Sequence, residues 1–283
     1  MAQPQVWLIT GASRGLGFDT AKFALAAGHK VLAVYRKKPS DTAKWDELEK
    51  LGGIWTQLDV AADYTEEKVK ALVAQYGKID VLINNAGYAL LSSVEDLPME
   101  EVQNIFNVNL YGTIRTIKGV LPSMRQQKSG TIVNLSSANA IQVVPALSIY
   151  SATKWAVEAY TETLQMEVAA FGIRVMIVEP GAVETEFASE AGTAVRVPPS
   201  EPYQEGIVKQ LSEYLASDKY WATMSASVSI AERIVQAIDG TGHMAGKEIK
   251  LRLPLGKDTG GALVRRAAAA NELAGLEDVW GSV

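Results

Sequence analysis

The sequence contains no cysteine and only two histidines, His29 and His243, among its 283 residues. The absence of thiols excludes disulfide bonds, thiolate nucleophiles and every zinc site that needs cysteine. Two histidines are too few for a histidine-rich metal centre. We therefore expect no metal ion in this protein.

A surplus of positive charge is also missing. The formal net charge is −5, and the only basic cluster is the short run Arg36, Lys37 and Lys38. A nucleic-acid-binding protein usually shows an extended basic face. The sequence therefore predicts no nucleic-acid partner.

Long apolar runs are absent as well. No stretch approaches the roughly 20 apolar residues of a membrane-spanning helix. The first residues, Met-Ala-Gln-Pro-Gln, lack the basic start and apolar segment of a secretory signal. Hydrophobic residues make up 48% and charged residues 21%, which is ordinary for a globular protein that buries a large core. We expect a soluble cytoplasmic protein with no membrane partner.

Short apolar runs alternate along the chain with amphipathic segments of helical length. Apolar strands separated by helices are typical of a parallel sheet covered on both sides. The sequence predicts one α/β domain over residues 1–283, a Rossmann-type doubly wound fold with a seven-stranded, mostly parallel sheet and helices on both faces. The predicted strands cover residues 6–9, 31–35, 54–58, 81–83, 131–135, 175–178 and 248–253, and two late helices cover residues 229–238 and 265–276.

The periodic pattern weakens in residues 182–226. This segment contains three prolines and many small or polar residues, followed by tyrosine and tryptophan side chains. A long segment beyond a strand end often lies over a pocket. We predict a substrate-binding lid within the domain. The alternative is a surface excursion with one or two short helices.

The first predicted strand runs into residues 10–17, Thr-Gly-Ala-Ser-Arg-Gly-Leu-Gly, and a helical pattern follows. Glycines let a backbone approach phosphate groups, and the free N–H groups and dipole of a helix start favour negative charge. The spacing Gly-x-x-x-Gly-x-Gly differs from the general G-x-G-x-x-G pattern. Its position directly after strand one nevertheless favours a phosphate-binding loop over an ordinary tight turn.

The end of the second predicted strand carries Arg36, where folds that bind NAD usually carry an acidic residue. A carboxylate there would repel a 2′-phosphate, whereas an arginine can pair with it through two hydrogen bonds. Arg14 in the glycine loop could reach the same phosphate. These charges favour NADP(H) over NAD(H). The alternative is that residues 36–38 only solvate a loop.

Tyr150 and Lys154 lie four residues apart in a long helical pattern, so they share a helix face. A free phenol has a pKa of about 10. A nearby ammonium favours the phenolate and would lower that pKa toward neutrality, which suits acid–base catalysis. Such pairs are common on helices, so context decides. Ser137 closes the preceding predicted strand, at the edge where parallel sheets bind ligands.

Asparagines mark two further positions. Residues 84–87, Asn-Asn-Ala-Gly, close the fourth predicted strand, and Asn107 and Asn109 fall inside the helical pattern that follows. Asparagine is mildly unfavourable in a helix interior, so two of them indicate a specific role. The alternative is that they cap the helix or face solvent.

Together these motifs resemble those of the short-chain dehydrogenase/reductase family, from residue 6 to about residue 187. The shared motifs are Thr10-Gly11-x-x-x-Gly15-x-Gly17, Asp59, Asn84-Asn85-Ala86-Gly87, Asn109, Ser137, Tyr150-x-x-x-Lys154 and Pro180-Gly181 with Thr185. Residues 188–245, where the family sets substrate choice, match little. The glycine that often follows the family's catalytic serine is absent from residues 137–140, which puts the shape of the substrate wall in doubt.

The resemblance implies a role for each motif residue. Tyr150 would exchange a proton with the carbonyl oxygen, Ser137 would orient that oxygen, and Lys154 would bind the nicotinamide ribose. Asn109 would hold a water that links Lys154 to solvent. The implied catalytic set is Asn109, Ser137, Tyr150 and Lys154. The implied cofactor-binding set is Gly11, Ser13, Arg14, Gly15, Leu16, Gly17, Arg36, Asp59, Val60, Asn85, Ala86, Gly87, Tyr150, Lys154, Pro180, Gly181, Val183 and Thr185.

The resulting hypothesis is an NADP(H)-dependent oxidoreductase that reduces a ketone or aldehyde, or oxidises the matching secondary alcohol, on a medium-sized hydrophobic substrate. One alternative keeps the scaffold but makes it an imine or iminium reductase, or a cyclase of natural-product biosynthesis. Another is an NADP-sensing regulator without turnover, which would be expected to lack Tyr150 or Lys154.

The resemblance also bears on self-association. Members of the family usually pair through two long central helices, which correspond here to about residues 98–125 and 148–171. We therefore expect a homodimer or homotetramer. The alternative is that these helices only cover the sheet.

Overall fold

The computed structural model describes residues 3–38, 42–187, 194–215 and 217–275. Its helices are α1 (Gly15–Ala26), α2 (Ala43–Lys50), α3 (Thr65–Tyr76), α4 (Met99–Phe106), α5 (Gly112–Gln127), α6 (Ser148–Val168), α7 (Ile207–Leu215), α8 (Asp218–Trp221), α9 (Ser227–Asp239) and α10 (Lys257–Ala274). Its strands are β1 (Val6–Ile9), β2 (Lys30–Tyr35), β3 (Ile54–Gln57), β4 (Val81–Asn84), β5 (Leu90–Leu91), β6 (Gly130–Leu135), β7 (Ile173–Pro180), β8 (Val183–Glu184), β9 (Val195–Arg196), β10 (Ser225–Ala226) and β11 (Arg252–Leu255).

Seven strands form one sheet in the order β11-β7-β6-β4-β1-β2-β3. Every adjacent pair is parallel, which confirms the predicted fold class. The chain builds outward from β1 to β3 and then places β4 on the other side of β1. Open parallel sheets bind ligands beyond the strand ends at such a switch point. The segments after β1 and β4 are therefore the first place to look for a site.

Side chains of the central strands alternate between two cores, one on each face of the sheet. In β1, Trp7 and Ile9 belong to the core beside α1 and α9, whereas Leu8 belongs to the core beside α3, α5 and α6. In β2, Val31 and Leu32 divide in the same way. Because side chains alternate along a strand, a sheet buried on both faces needs the continuous apolar runs seen in the sequence.

The last strand differs from its predicted position. β11 covers Arg252–Leu255 rather than residues 248–253, because pairing with β7 sets its register, from Arg252 opposite Ile177 to Leu255 opposite Pro180. Pro254 is tolerated inside this strand because β11 lies at the edge of the sheet.

The last helix also differs, whereas α9 confirms the helix predicted at residues 229–238. α10 begins at Lys257 rather than at residue 265, and predicted position 276 lies outside the described residues. Gly260 and Gly261 fall in its first turns, and a helical glycine costs about 1 kcal/mol relative to alanine. Tertiary contacts override this cost, since Ala262 is buried and the Asp258 carboxylate accepts a 2.7 Å hydrogen bond from the backbone of Ala182.

Residues 182–226 are joined to the rest of the fold by strand pairing between β9 and β5. Within the segment, β8 pairs with β10. Residues 188–193 and 216 of this segment lie outside the described residues. Leu215 of α7 and Tyr220 of α8 pack in the same apolar cluster as Tyr150. The segment therefore lies beside a predicted catalytic residue, while its action as a lid stays a prediction.

None of the helices in the described ranges combines the length and the apolar character needed to cross a lipid bilayer. Across the same ranges, no group of three or more histidine, aspartate or glutamate side chains is arranged to hold a metal ion.

Candidate active site

A cleft of about 1250 Å³ opens where β1, β4, β6 and β7 end. It is lined by the segments that follow these strands and by parts of α6, α10 and residues 182–226. All predicted site residues line the cleft except Gly17 and Asn109. The parallel sheet thus brings together motifs that are far apart in the sequence.

The glycine loop after β1 is held by the segment after β4. The Thr10 hydroxyl oxygen accepts hydrogen bonds from the backbone N–H groups of Asn85 (2.9 Å) and Ala86 (3.0 Å). The Asn85 side-chain amide donates to the carbonyls of Thr10 (3.0 Å) and Gly11 (3.1 Å). Asn85 was predicted only as a cofactor contact. The structure shows that its amide also shapes the loop, together with Thr10, which was not among the predicted site residues.

Gly17 does not line the cleft, so its contact with the cofactor stays a prediction. It lies in α1 behind the loop, where an added Cβ would be 2.4 Å from both the Gly11 carbonyl oxygen and the Asn85 amide nitrogen. Because no side chain fits there, glycine lets α1 approach the loop closely. The last glycine of the general dinucleotide motif serves packing in the same way.

One end of the cleft is basic. Arg14, residues 36–38 and Lys44 line this end. Glu186 pairs with Lys44 at 2.9 Å and with Arg14 at 3.7 Å, and the hydrogen bond from Lys44 is the main reason that the pKa of Glu186 is lowered. Sequence reasoning missed Lys44 and Glu186, because neither belongs to a motif and only folding places them beside the glycine loop.

Asp59 and Val60 form a wall of the cleft where β3 ends. The Asp59 carboxylate accepts a hydrogen bond from the backbone of Ala61 at 3.0 Å, and its carbonyl accepts one from the Thr65 hydroxyl at 2.7 Å. These bonds hold the turn between β3 and α3. The contact of Asp59 and Val60 with adenine stays a prediction.

Ser137, Tyr150 and Lys154 meet at the floor of the cleft. Their exposed fractions are 8%, 7% and 6%. Ser137 follows β6 and hydrogen-bonds to the Tyr150 side chain. Lys154 Nζ donates to the Leu135 carbonyl at 2.7 Å and lies 5.8 Å from the centre of the Tyr150 ring. α6 therefore presents its tyrosine and lysine to the end of β6, next to the serine.

The pKa values of Tyr150 and Lys154 differ from those expected from the sequence. Burial raises the pKa of Tyr150 to about 12, although the hydrogen bond with Ser137 acts in the opposite direction. Burial also lowers the pKa of Lys154 to about 8, against the opposing charge of Glu158. The prediction that Lys154 brings the Tyr150 pKa toward neutrality is wrong for the chain by itself, because desolvation of the phenolate dominates.

Asn109 lies in a π-helical turn, Asn107–Tyr111, between α4 and α5. Its Oδ1 accepts from the Tyr88 backbone N–H at 3.1 Å, and its Nδ2 donates to the Tyr88 carbonyl at 3.0 Å and to the Thr153 hydroxyl at 3.1 Å. Such turns are frequent at functional sites. Asn109 thus ties the segment after β4 to α6, and it is buried behind the cleft. The water relay implied by the resemblance stays a prediction.

The cleft has the features that a dinucleotide requires. The backbone runs close to its neighbours at the bordering glycines: a Cβ added to Gly15 would be 3.3 Å from Thr185, and one added to Gly87 would be 3.0 Å from Asn109. The cations at the basic end of the cleft suit phosphate groups. The hydroxyl groups of Ser137 and Tyr150 lie at the other end. A doubly wound sheet with this glycine loop and a Ser–Tyr–Lys site defines a nucleotide-dependent oxidoreductase.

The chain belongs to the short-chain dehydrogenase family, because the sequence profile of that family, described as short chain dehydrogenase, matches residues 5–195. The protein is therefore an oxidoreductase, and the enzymes of this family use NAD(P)(H).

Similarity to individual proteins extends beyond the matched residues. Oxidoreductase BOA17 of Botryotinia fuckeliana is 36% identical over 278 residues, which cover 98% of this chain and 96% of its own. The 3-ketodihydrosphingosine reductase of Bacteroides thetaiotaomicron is 35% identical over 74% of this chain and 75% of its own. The crystal structure of a short-chain dehydrogenase from Streptomyces avermitilis has a TM-score of 0.86 at 32% identity, covering 100% of this chain and 99% of its own.

Proposed function

We propose that this protein is an NADP(H)-dependent carbonyl reductase, which reduces a ketone or aldehyde, or oxidises the matching secondary alcohol, on a medium-sized hydrophobic substrate. The observation that carries the proposal is the convergence of Ser137, Tyr150 and Lys154 in a cleft whose other end is basic.

Tyr150 acts as the proton donor in reduction. Because burial raises its pKa to about 12, the phenol keeps its proton at neutral pH. Ser137 donates a second hydrogen bond to the same substrate oxygen, which orients and polarises the carbonyl group. The Lys154 ammonium stabilises the phenolate that remains after proton transfer. The nicotinamide cofactor, when bound, supplies the hydride for reduction and accepts it in oxidation.

The cofactor would be held by segments that follow the strands. The loop after β1 would bind the pyrophosphate through backbone N–H groups and the start of α1. Asp59 and Val60 would flank the adenine. Pro180, Gly181 and Thr185 would position the nicotinamide, since the segment after β7 lines the cleft and its Phe187 packs near Tyr150.

The wall beside Tyr150 is apolar, which favours a hydrophobic substrate. The Phe187 ring lies 5.9 Å from the Tyr150 ring. Val144, Leu147 and Leu211 line the same part of the cleft. We propose that residues 182–226, attached through the pairing of β9 with β5, act as a lid over this wall.

The preference for NADPH is tested by comparing initial rates with NADPH and with NADH on a panel of ketones, aldehydes and imines. We expect kcat/KM for NADPH to exceed that for NADH by about tenfold or more, because Arg36 and Lys44 can pair with the 2′-phosphate and a tenfold preference needs only about 1.4 kcal/mol. The double variant Arg36→Ala/Lys44→Ala should lose most of this ratio while its NADH activity changes little.

Lys50 provides the matched control, because it is an exposed cation at the far end of α2. Lys50→Ala should leave the cofactor ratio unchanged. Equal use of the two cofactors by the wild type would contradict the NADP assignment. Turnover of imines without turnover of ketones or aldehydes would favour the imine reductase instead.

The pH dependence of reduction follows from Lys154. We expect kcat/KM for NADPH to be constant below about pH 7 and to fall about tenfold per pH unit above about pH 8, since this parameter reports groups of the free enzyme. Burial lowers the pKa of Lys154 to about 8, so its ammonium is lost in this range. Tyr150, with a pKa of about 12, keeps its proton. Initial rates between pH 6 and 10 measure the profile.

Lys154→Arg serves as the control for this profile. Arginine stays charged throughout this range, so the variant should be slower overall but show no fall up to pH 10. A wild-type profile that stays flat to pH 10 would show that the charge of Lys154 is not required.

A further inference from the structure

Three charged side chains, Glu158, Glu179 and Arg252, form a cluster behind the catalytic residues, which we call the Glu–Arg cluster. Glu158 is 6% exposed and Glu179 is 0% exposed. Arg252 Nη1 donates to Glu158 Oε2 at 2.6 Å and also to Glu179 Oε1. Burying carboxylates is costly even when they are paired. A specific role would explain their presence beside the site.

The cluster adjoins the site through two elements. Glu158 follows Lys154 by one helical turn on α6, which places their Cβ atoms about 5–6 Å apart. Ser136, the neighbour of Ser137, donates to Glu158 Oε1 at 2.5 Å. Glu179 lies at the end of β7, next to the segment that borders the cleft. Glu158 therefore connects the helix of the catalytic tyrosine and lysine with the ends of β6 and β7.

The two carboxyl groups of the cluster differ in their hydrogen bonds. Each oxygen of Glu158 accepts one hydrogen bond, from Ser136 and from Arg252 respectively. Burial, followed by the charge of Glu158, raises the pKa of Glu179, with Arg252 acting against both. Glu179 Oε2 has no hydrogen-bond partner among the described residues. Glu158 is therefore the more completely hydrogen-bonded carboxylate of the two.

Glu158 supplies the negative charge nearest to Lys154. The Lys154 ammonium donates to the Leu135 carbonyl and lies 5.8 Å from the centre of the Tyr150 ring, and Glu158 is the charged group that acts on it. The Leu135 carbonyl carries no charge. The charge of Glu158 raises the pKa of Lys154, against the effect of burial. Glu162, one turn further along α6, is half-exposed and pairs with Arg252.

We propose that Glu158 is a positioning residue for the oxidoreductase reaction: its carboxylate, held by Ser136 and Arg252, keeps Lys154 in the ammonium form. The inference rests on the proposed function, because it concerns the lysine of that site. Glu158 itself would touch neither substrate nor cofactor. It would act through Lys154, which binds the cofactor.

Glu158→Gln tests the proposal, because it removes the charge and keeps the shape and the acceptor for Ser136. The alkaline fall of kcat/KM for NADPH should move to lower pH by about one unit, because the variant loses the charge that raises the pKa of Lys154. The Kd of NADPH, followed by fluorescence from pH 6 to 10, should weaken over the same lower range. At pH 6 the variant should approach the wild-type rate, which a merely structural defect would not allow.

Glu162→Gln is the matched control, since it removes another carboxylate partner of Arg252 and should leave the pH profile in place. Glu158→Asp retains the charge and should keep the alkaline fall near its wild-type position. If Glu158→Gln does not fold, Glu158→Met removes the charge with a side chain of similar volume, leaves Arg252 paired with Glu162 and Glu179, and should show the same downward shift.

The outcomes separate the two proposals. A wild type that neither binds nor oxidises NADPH would defeat the proposed function. An active wild type whose alkaline fall stays in place in Glu158→Gln would overturn the role of Glu158 alone.

Discussion

Replacing Tyr150 by phenylalanine is expected to lower carbonyl turnover by about 10³-fold, within the range that a general acid contributes. The change removes the hydroxyl that hydrogen-bonds to Ser137 and keeps the ring that packs near Phe187. The Kd of NADPH should therefore change only a few-fold. The free energy of unfolding should change by about 1 kcal/mol, the net contribution of one hydrogen bond. Steady-state kinetics, NADPH titration and denaturant unfolding measure the three quantities.

Tyr160 is the control for this substitution, since it lies on the same helix and burial likewise raises its pKa. It packs at the margin of the core beside α3, α5 and α6, outside the cleft. Tyr160→Phe should retain full turnover. If Tyr150→Phe also retained turnover, the acid–base assignment would be wrong.

Gly17→Ala is expected to weaken NADPH binding by about 30-fold or more and to destabilise the protein by about 1–3 kcal/mol, as overpacking commonly does. The new Cβ would lie 2.4 Å from the Gly11 carbonyl oxygen and from the Asn85 amide nitrogen. The backbone of the glycine loop must then move, and the loop would lose the shape that the Asn85 amide maintains. Fluorescence titration with NADPH and denaturant unfolding measure the two effects.

The same substitution at Gly260 should have the opposite effect on stability. Gly260 lies in α10 with nothing within 4 Å of an added Cβ, so Gly260→Ala should stabilise the protein by about 0.5–1 kcal/mol through helix propensity. Helix propensity alone would stabilise Gly17→Ala as well. If Gly17→Ala were more stable than the wild type and bound NADPH with unchanged affinity, the close approach of α1 to the glycine loop would not require glycine at this position.

Local sequence patterns carried most of the fold and much of the site. Apolar runs such as residues 6–9 and 31–35 predicted central strands because a sheet covered on both faces has no polar side to interrupt them. The glycine loop and the Tyr150–Lys154 pair were recognisable because their spacing is set within a single turn or helix. Self-association through residues 98–125, which form α4 and most of α5, and through α6 stays a prediction.

Other features depend on contacts between distant segments. Lys44, Glu186 and Arg265 line the cleft from segments that no motif marks. The sequence did not predict the start of α10, because Gly260 and Gly261 have low helix propensity. In the folded chain, the packing of Ala262 offsets this cost. The motif also does not reveal that Gly17 lies behind the loop, where an added side chain would not fit.

The order and spacing of residues along the chain were thus sufficient for the fold class, the family and the three groups that meet in the cleft. Folding raised the pKa of Tyr150 and lowered the pKa of Lys154 through burial, and it brought the charge of Glu158 to bear on Lys154. The reason is that a pKa depends on how completely water is removed from a group and on which charges remain near it. Both are properties of segments that meet only in the folded chain.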